Sequence, residues 1–256
     1  LAGILAHALD EDRSGNLWAG TTQGLDQFDA NTETFTHFIV DTAQPEWLGN
    51  STITAILEDH LGELWIGTLD NGLKRINAEK NDFTHYQYNP NNLQGIAHNT
   101  ITAIHEDSKK QLWIATAGGG LHMYNWETDT FTQYAEKNGL PSNVIYGIVE
   151  DKTAYLWLST NFGISRFDPQ SENFRNYTAS DGLQSNEFNM YAFAKGHNDT
   201  MYFGGVNGLT VFRPTDVTDS MYLPTVTLTS FGPRDHPQPE LMKEVTLSWP
   251  NNNFSF

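Results

Sequence analysis

One string recurs five times in this chain, with drift: "EDRSGNLWAGTTQGLDQFD", "EDHLGELWIGTLDNGLKRI", "EDSKKQLWIATAGGGLHMY", "EDKTAYLWLSTNFGISRFD" and "KGHNDTMYFGGVNGLTVFR". Its aromatic marker falls at Trp18, Trp65, Trp113, Trp157 and Tyr202, in steps of 47, 48, 44 and 45 residues. A fixed period of this length signals one supersecondary unit repeated, each copy burying its faces against its neighbours. Within the second copy the pattern runs from apolar Ile53 to Leu57 through a turn to "ELWIGT", then a glycine turn, "LKRIN", a polar turn and "DFTHYQY". Alternation with β-branched and aromatic residues marks each piece as a short strand, and the Gly, Asn and Asp between them mark hairpins. Each copy is predicted to be a four-stranded antiparallel meander, and a row of such units is an all-β β-propeller. Five blades are expected, over residues 1–40, 51–89, 98–136, 143–179 and 187–213.

What every copy shares is assigned to folding. The tryptophans are expected to fill the space between blades, where a large ring supplies much of the buried area. Gly24, Gly72, Gly120, Gly163 and Gly208 follow the aromatic by six or seven residues, where a hairpin calls for positive φ. The acidic pairs Glu11/Asp12, Glu58/Asp59, Glu106/Asp107 and Glu150/Asp151 close the first strand of each copy. Neighbours on a strand point to opposite faces, so these pairs are read as turn caps and solvated groups and not as a general acid and base. "DEDRSGN" from Asp10 opens like a calcium loop but lacks the distal glutamate, and a hairpin turn is expected there.

Composition narrows the partners. With 31 acidic against 14 basic side chains the net charge is −17, which argues against nucleic acid and anionic membranes. The chain has no cysteine, its nine histidines show no metal-ligand spacing, and no phosphate-binding glycine motif occurs, so neither metal nor cofactor is expected. No apolar run reaches the roughly 20 residues that span a bilayer. Because the chain opens on Leu1 and stops inside the strand-like "NNNFSF", it is expected to be part of a longer protein.

The copies "GLPSNVIYGIVEDKTAYLWLSTNFGISRFDPQSENFRNYTASDGL" and "NSTITAILEDHLGELWIGTLDNGLKRINAEKNDFTHYQ" resemble the two-component regulator propeller repeat. Its G-L-x-S-N opening, I-x-E-D-x-x-G-x-L-W-I-G-T core and G-L-x-R-F-D-P third strand run through the first four copies and loosely through the fifth. The resemblance implies a non-catalytic sensor region on the periplasmic or extracellular side of a bacterial inner membrane. Such a region belongs to a hybrid histidine kinase or a diguanylate cyclase. It implies as partners an external small molecule or oligosaccharide, covalently linked membrane and output domains, and a possible homodimer. Residues 214–256 then form a linker and the truncated start of an immunoglobulin-like module. The chain departs from the pattern in its blade count, since such sensors carry two propellers of about seven blades, so further blades are expected before Leu1. The fifth copy also shows Gly196 and His197 in place of the Glu-Asp pair, and Tyr202 in place of Trp.

Ligand contacts are sought among residues that differ between copies at the end of the propeller carrying the blade-to-blade links and the hairpins between second and third strands. By that location the candidates are Trp47, Asp70, Asn71, His98, Asn161 and Phe162. Two other classes of function fit the sequence: a propeller lyase or hydrolase using Asp70 or His98, and a protein-docking scaffold.

Overall fold

The computed structural model describes residues 5–38, 51–80 and 82–217, and in it the repeats form five antiparallel sheets. Blade 1 consists of β1 (Ala6–Glu11), β2 (Leu17–Thr21), β3 (Gly24–Asp29) and β4 (Thr34–Phe38). Blade 2 follows with β5 (Ile53–Glu58), β6 (Leu64–Thr68), β7 (Leu73–Ile76) and β8 (Phe83–Tyr86). Blade 3 comprises β9 (Ile101–Glu106), β10 (Leu112–Thr116), β11 (Leu121–Asn125) and β12 (Thr130–Tyr134). Blade 4 contains β13 (Ile145–Glu150), β14 (Leu156–Thr160), β15 (Gly163–Asp168) and β16 (Asn173–Tyr177). These four sheets pair strictly in chain order, as up-and-down meanders do.

Among the described residues blade 5 has three strands where four are expected: β17 (Phe188–Lys195), β18 (Met201–Gly205) and β19 (Gly208–Phe212). After β19 the backbone turns into a short 3-10 segment, Pro214–Asp216. Proline has no N–H to give to a ladder, which is consistent with β19 ending just before it. The immunoglobulin-like module expected at the C-terminus, and Trp47, lie outside the described residues.

Alternation along the strands gives each blade a forward face toward the next blade and a backward face toward the previous one. Trp65 and Leu73 of blade 2 pack forward onto Ile101, Leu112 and Ile114 of blade 3. Ile56, Leu64, Ile66 and Ile76 pack backward onto Trp18 and Leu25 of blade 1. The same seam recurs with Trp113 and Leu121 against Leu156, Leu158 and Phe167, and with Trp157 and Ile164 against Phe188, Met201 and Phe203. Trp18, Trp65, Trp113 and Trp157 are all at most 1% exposed, which confirms their place between blades. Sealing one such side chain stabilises the fold by about 1.5–3 kcal/mol.

The inner strands approach so closely that the middle of the second strand needs a small residue. A Cβ on Gly20 would lie 2.5 Å from Ile53 Cγ2, and one on Gly67 would lie 2.7 Å from Ile101 Cγ2. Across the same inner line the Thr54 hydroxyl donates to the Ile101 carbonyl and the Thr102 hydroxyl to the Ile145 carbonyl, both at 2.6 Å. The inner strands of blades 1, 2, 3 and 5 surround a central cavity of about 240 Å3. A bulge in β17 carries Tyr191 at φ 63°, with its ring 5.1 Å from that of His7.

Candidate functional site

The repeated carboxylates are occupied by the fold. Asp12, Asp59, Asp107 and Asp151 each accept the indole N–H of the tryptophan six residues on, at 2.9, 2.7, 2.9 and 2.8 Å. The other oxygen of each caps the turn between the first two strands; Asp59, for example, accepts from Leu61 N at 2.8 Å and Glu63 N at 3.0 Å. These aspartates are buried, so the solvated part of the expectation is corrected: the indole replaces water as the donor.

The glutamates beside them do a different job because they point to the other face. Glu58 accepts the Arg13 amide of blade 1 at 2.8 Å, Glu106 the His60 amide of blade 2 at 3.0 Å, and Glu150 the Ser108 amide of blade 3 at 3.0 Å. In blade 5 Asp199 takes this role, accepting the Lys152 amide at 3.3 Å. Burial works against the charge on Glu150, but the His105 imidazole 3.7 Å away and the bonds from Ser108 outweigh it and hold the carboxyl down at about 2.

A second set of polar side chains sits two residues after each hairpin glycine: Asp26, Lys74, His122, Ser165 and Thr210, all buried. They differ between copies because each meets a different neighbour. His122 Nε2 accepts the Ala97 amide in the link between blades 2 and 3, at 3.1 Å. Thr210 Oγ1 accepts the Gln184 amide in the link between blades 4 and 5, at 3.1 Å. Ser165 Oγ bonds Asn176, whose amide donates to the Gly139 carbonyl of the link between blades 3 and 4. Asp26 pairs with His37 of the adjoining strand.

What remains unabsorbed gathers where β8 leaves blade 2. His85 Nε2 lies 2.7 Å from the Asn71 carbonyl oxygen, and the Gln87 amide donates to Asn71 Oδ1 at 2.7 Å. Tyr88 N donates to Asn99 Oδ1 at 2.7 Å, which ties the departing chain to the approach to β9. Between them the link Asn89–Gly95 folds on its own asparagines, with Asn91 N donating to Asn89 Oδ1 at 2.9 Å. The Gln94 carbonyl accepts from Phe131 N of β12 at 2.8 Å, which pins the link to blade 3. The result is an open hollow of about 470 Å3 whose polar lining is His85, Gln87, Tyr88, Asn89 and Asn92, floored by Ile96. Under its edge the Tyr86 and Tyr124 hydroxyls both donate to Asp129 Oδ1, at 2.5 and 2.6 Å. The Arg75 guanidinium donates to the Tyr124 hydroxyl at 2.7 Å and lies 5.5 Å from the Trp65 ring centroid. Burial and the Asp129 carboxylate push the Tyr124 phenol up to about 12, so it stays a donor throughout the physiological range.

The predicted ligand residues fall into two groups. Asn71 borders the hollow through its bonds to His85 and Gln87, and Asp70 is exposed beside it. His98 lies in the same link, with Nδ1 accepting the Thr100 amide at 3.0 Å. Asn161 and Phe162 belong to the hairpin of blade 4, where Phe162 is exposed and Asn161 Oδ1 is buried without a hydrogen-bond partner. No hydrogen bond among the described residues joins the two groups. His85, Gln87 and Tyr88 were not anticipated; their signal is the polar and aromatic run "HYQYNPNN", which has no counterpart in the other copies.

The sequence profile of the two component regulator propeller family matches residues 48–70 and 95–118, the approach and first two strands of blades 2 and 3. Two of the five repeats match the two-component regulator propeller repeat. Part of it is similar to histidine kinase P4 of Formosa agariphila, 33% identical over 132 residues, which cover 47% of this chain and 10% of the kinase. The repeats of this chain thus meet that relative over about a tenth of its length. Their fold is shared with the extracellular domain of a hybrid two component system from B. thetaiotaomicron, at TM-score 0.57 and 21% identity, over 84% of this chain and 34% of that one. It is shared equally with virginiamycin B lyase from Staphylococcus aureus, at TM-score 0.60 and 15% identity, over 81% of this chain and 69% of the lyase. A fold found both in an extracellular two-component domain and in a lyase leaves function to the site.

Proposed function

We propose that this chain is a non-catalytic, extracytoplasmic part of a bacterial membrane signalling protein, and that the hollow between blades 2 and 3 binds a small, neutral, polyhydroxylated ligand such as an oligosaccharide. The observation that carries this reading is the lining of the hollow. Amides and phenols supply donors and acceptors, tyrosines supply a face for a sugar ring, and no carboxylate stands in it. The family of the repeats and the histidine kinase relative support a signalling context. Ligand binding at the link would alter the seam between blades 2 and 3, which Asn99, Gln94 and His122 tie together, and so carry the signal toward an output domain. Of the residues expected from the sequence, Asn71 touches this site through His85 and Gln87, and Asp70 and His98 are kept as candidates from the neighbouring hairpin and link. Asn161 and Phe162 stand apart from it, and Trp47 is a further candidate.

Calorimetric titration with a panel of neutral oligosaccharides tests this. One compound is expected to bind without being chemically changed, and Gln87→Ala and Tyr88→Ala are each expected to weaken it about tenfold or more. Release of a cleaved product would instead establish the propeller-enzyme reading, and binding indifferent to both substitutions would remove the site from this hollow.

A further inference from the structure

Counting eleven residues back from each aromatic marker gives His7, Thr54, Thr102, Tyr146 and Tyr191, one in each first strand. The ladder to the second strand slips at every one of them. His7 drops out between Ala6 and Ala8, Thr54 between Ile53 and Ala55, Thr102 between Ile101 and Ala103, and Tyr146 between Ile145 and Gly147. In β17 the slip runs from Phe188 to Phe193 and takes in Tyr191. A bulge of this kind leaves a residue unpaired and re-aims its side chain.

The middle blades use that side chain to hold the blade that follows. The Thr54 and Thr102 hydroxyls are spent on carbonyls of the next blade, and the Tyr146 hydroxyl donates to Glu187 Oε1, on the approach to β17, at 3.2 Å. His7 and Tyr191 depart from this use. Their rings lie 5.1 Å apart at a tilt of 30°, and neither the imidazole nor the phenol has a hydrogen bond among the described residues. Tyr191 also holds φ 63°, a left-handed conformation that costs a bulky residue free energy and persists only where its surroundings impose it.

Both rings line the central cavity of about 240 Å3. Space is left there because the residue after the bulge is small in the first three blades: Ala8, Ala55 and Ala103. Ile56, Ile104 and Phe193 make the rest of the wall apolar, and no lysine, arginine or carboxylate lines it among the described residues.

We infer that this central channel binds a small, neutral, aromatic molecule carrying one N–H or O–H group. Its ring packs against Phe193 and Tyr191, and its polar group meets the His7 imidazole and the Tyr191 hydroxyl, which nothing else engages. A charged ligand would enter without a counter-charge. A cavity of about 150 Å3 lined by apolar side chains holds benzene, so this one admits a two-ring molecule such as indole. The channel shares no lining residue with the hollow between blades 2 and 3, and the two sites stand independently.

Titration of the chain with indole, followed by ligand-observed NMR, tests this, with cyclohexanol as the non-aromatic control. Indole is expected to bind with a Kd on the order of 0.1–1 mM, and cyclohexanol at least tenfold more weakly. His7→Phe keeps a ring and removes the polar atoms, and is expected to weaken indole about fivefold or more. Tyr191→Gly removes the ring together with the backbone strain. It is expected to melt no lower than the parent and to lose indole binding by about tenfold or more, a combination that a purely structural tyrosine would not give. A parent that does not bind indole, equal affinity for cyclohexanol, unchanged affinity in both variants, or a Tyr191→Gly chain that melts below the parent would each overturn the inference.

Discussion

The Trp65 indole donates to Asp59 Oδ2 at 2.7 Å while the carboxylate's other oxygen caps the turn that separates the two residues. One buried carboxylate therefore fixes both the turn and the ring that seals the next seam. Replacing Asp59 with Ala is expected to cost about 3 kcal/mol or more, since it strands the indole N–H and two turn amides. Urea unfolding measures this; a loss under roughly 0.5 kcal/mol, the size of an ordinary surface change, would mean the bond is incidental.

Burial raises Asp10 from 3.8 to about 6, against the bond it accepts from the Glu58 amide. The folded chain therefore holds this proton more tightly than the unfolded one, and stability falls as pH rises from about 3.8 to about 6. Asp10→Asn keeps an acceptor and removes the charge. The variant is expected to match the parent in thermal melts near the bottom of that window and to exceed it above the top.

His122 behaves in the opposite sense. Burial pushes its imidazole from 6.5 down to about 4, so in that interval the unfolded chain binds the proton more readily and stability drops as pH falls. His122→Gln still offers an acceptor to Ala97 N and is expected to lose this acid sensitivity. A titration of the His122 ring followed by NMR should place its midpoint near 4, and a midpoint above 6 would remove the basis for the effect.

Gly15 and Gly72 both adopt positive φ, at 82° and 73°, but only Gly72 is crowded: a Cβ there would meet the Tyr86 carbonyl oxygen, whereas nothing stands near Gly15. Gly15→Ala is expected to cost about 1 kcal/mol, from backbone conformation alone, and Gly72→Ala about 2 kcal/mol or more. Equal costs in denaturant titrations would mean that the hairpin relaxes away from Tyr86.

The blades were legible because the repeat prints the same strand pattern again and again, and the predicted boundaries fall within a few residues of Ala6–Phe38, Ile53–Tyr86, Ile101–Tyr134 and Ile145–Tyr177. The separate work of Asp and Glu in each pair was not read, although the constant six-residue interval from Asp to Trp was available as a signal. That Glu58 grips the turn of blade 1 depends on the angle between sheets, which local pattern does not encode. Lys74, His122 and Thr210 were equally hidden: a polar residue amid apolar neighbours in a strand reads as an irregularity until the link beside it is in view. The end of β19 had a visible cue in Pro214.

Because Trp18, Trp65, Trp113 and Trp157 are each sealed by the blade that follows, completion lags by one repeat while the chain is being made. When Trp65 emerges from the ribosome, the residues that cover it, Ile101 through Ile114, have yet to emerge. At ordinary synthesis rates that delay is on the order of 2–10 s. For that interval the newest blade shows an uncovered aromatic face, so the nascent polypeptide advances with one adhesive surface at its growing end, and that surface is where a chaperone or a misfolding partner would engage.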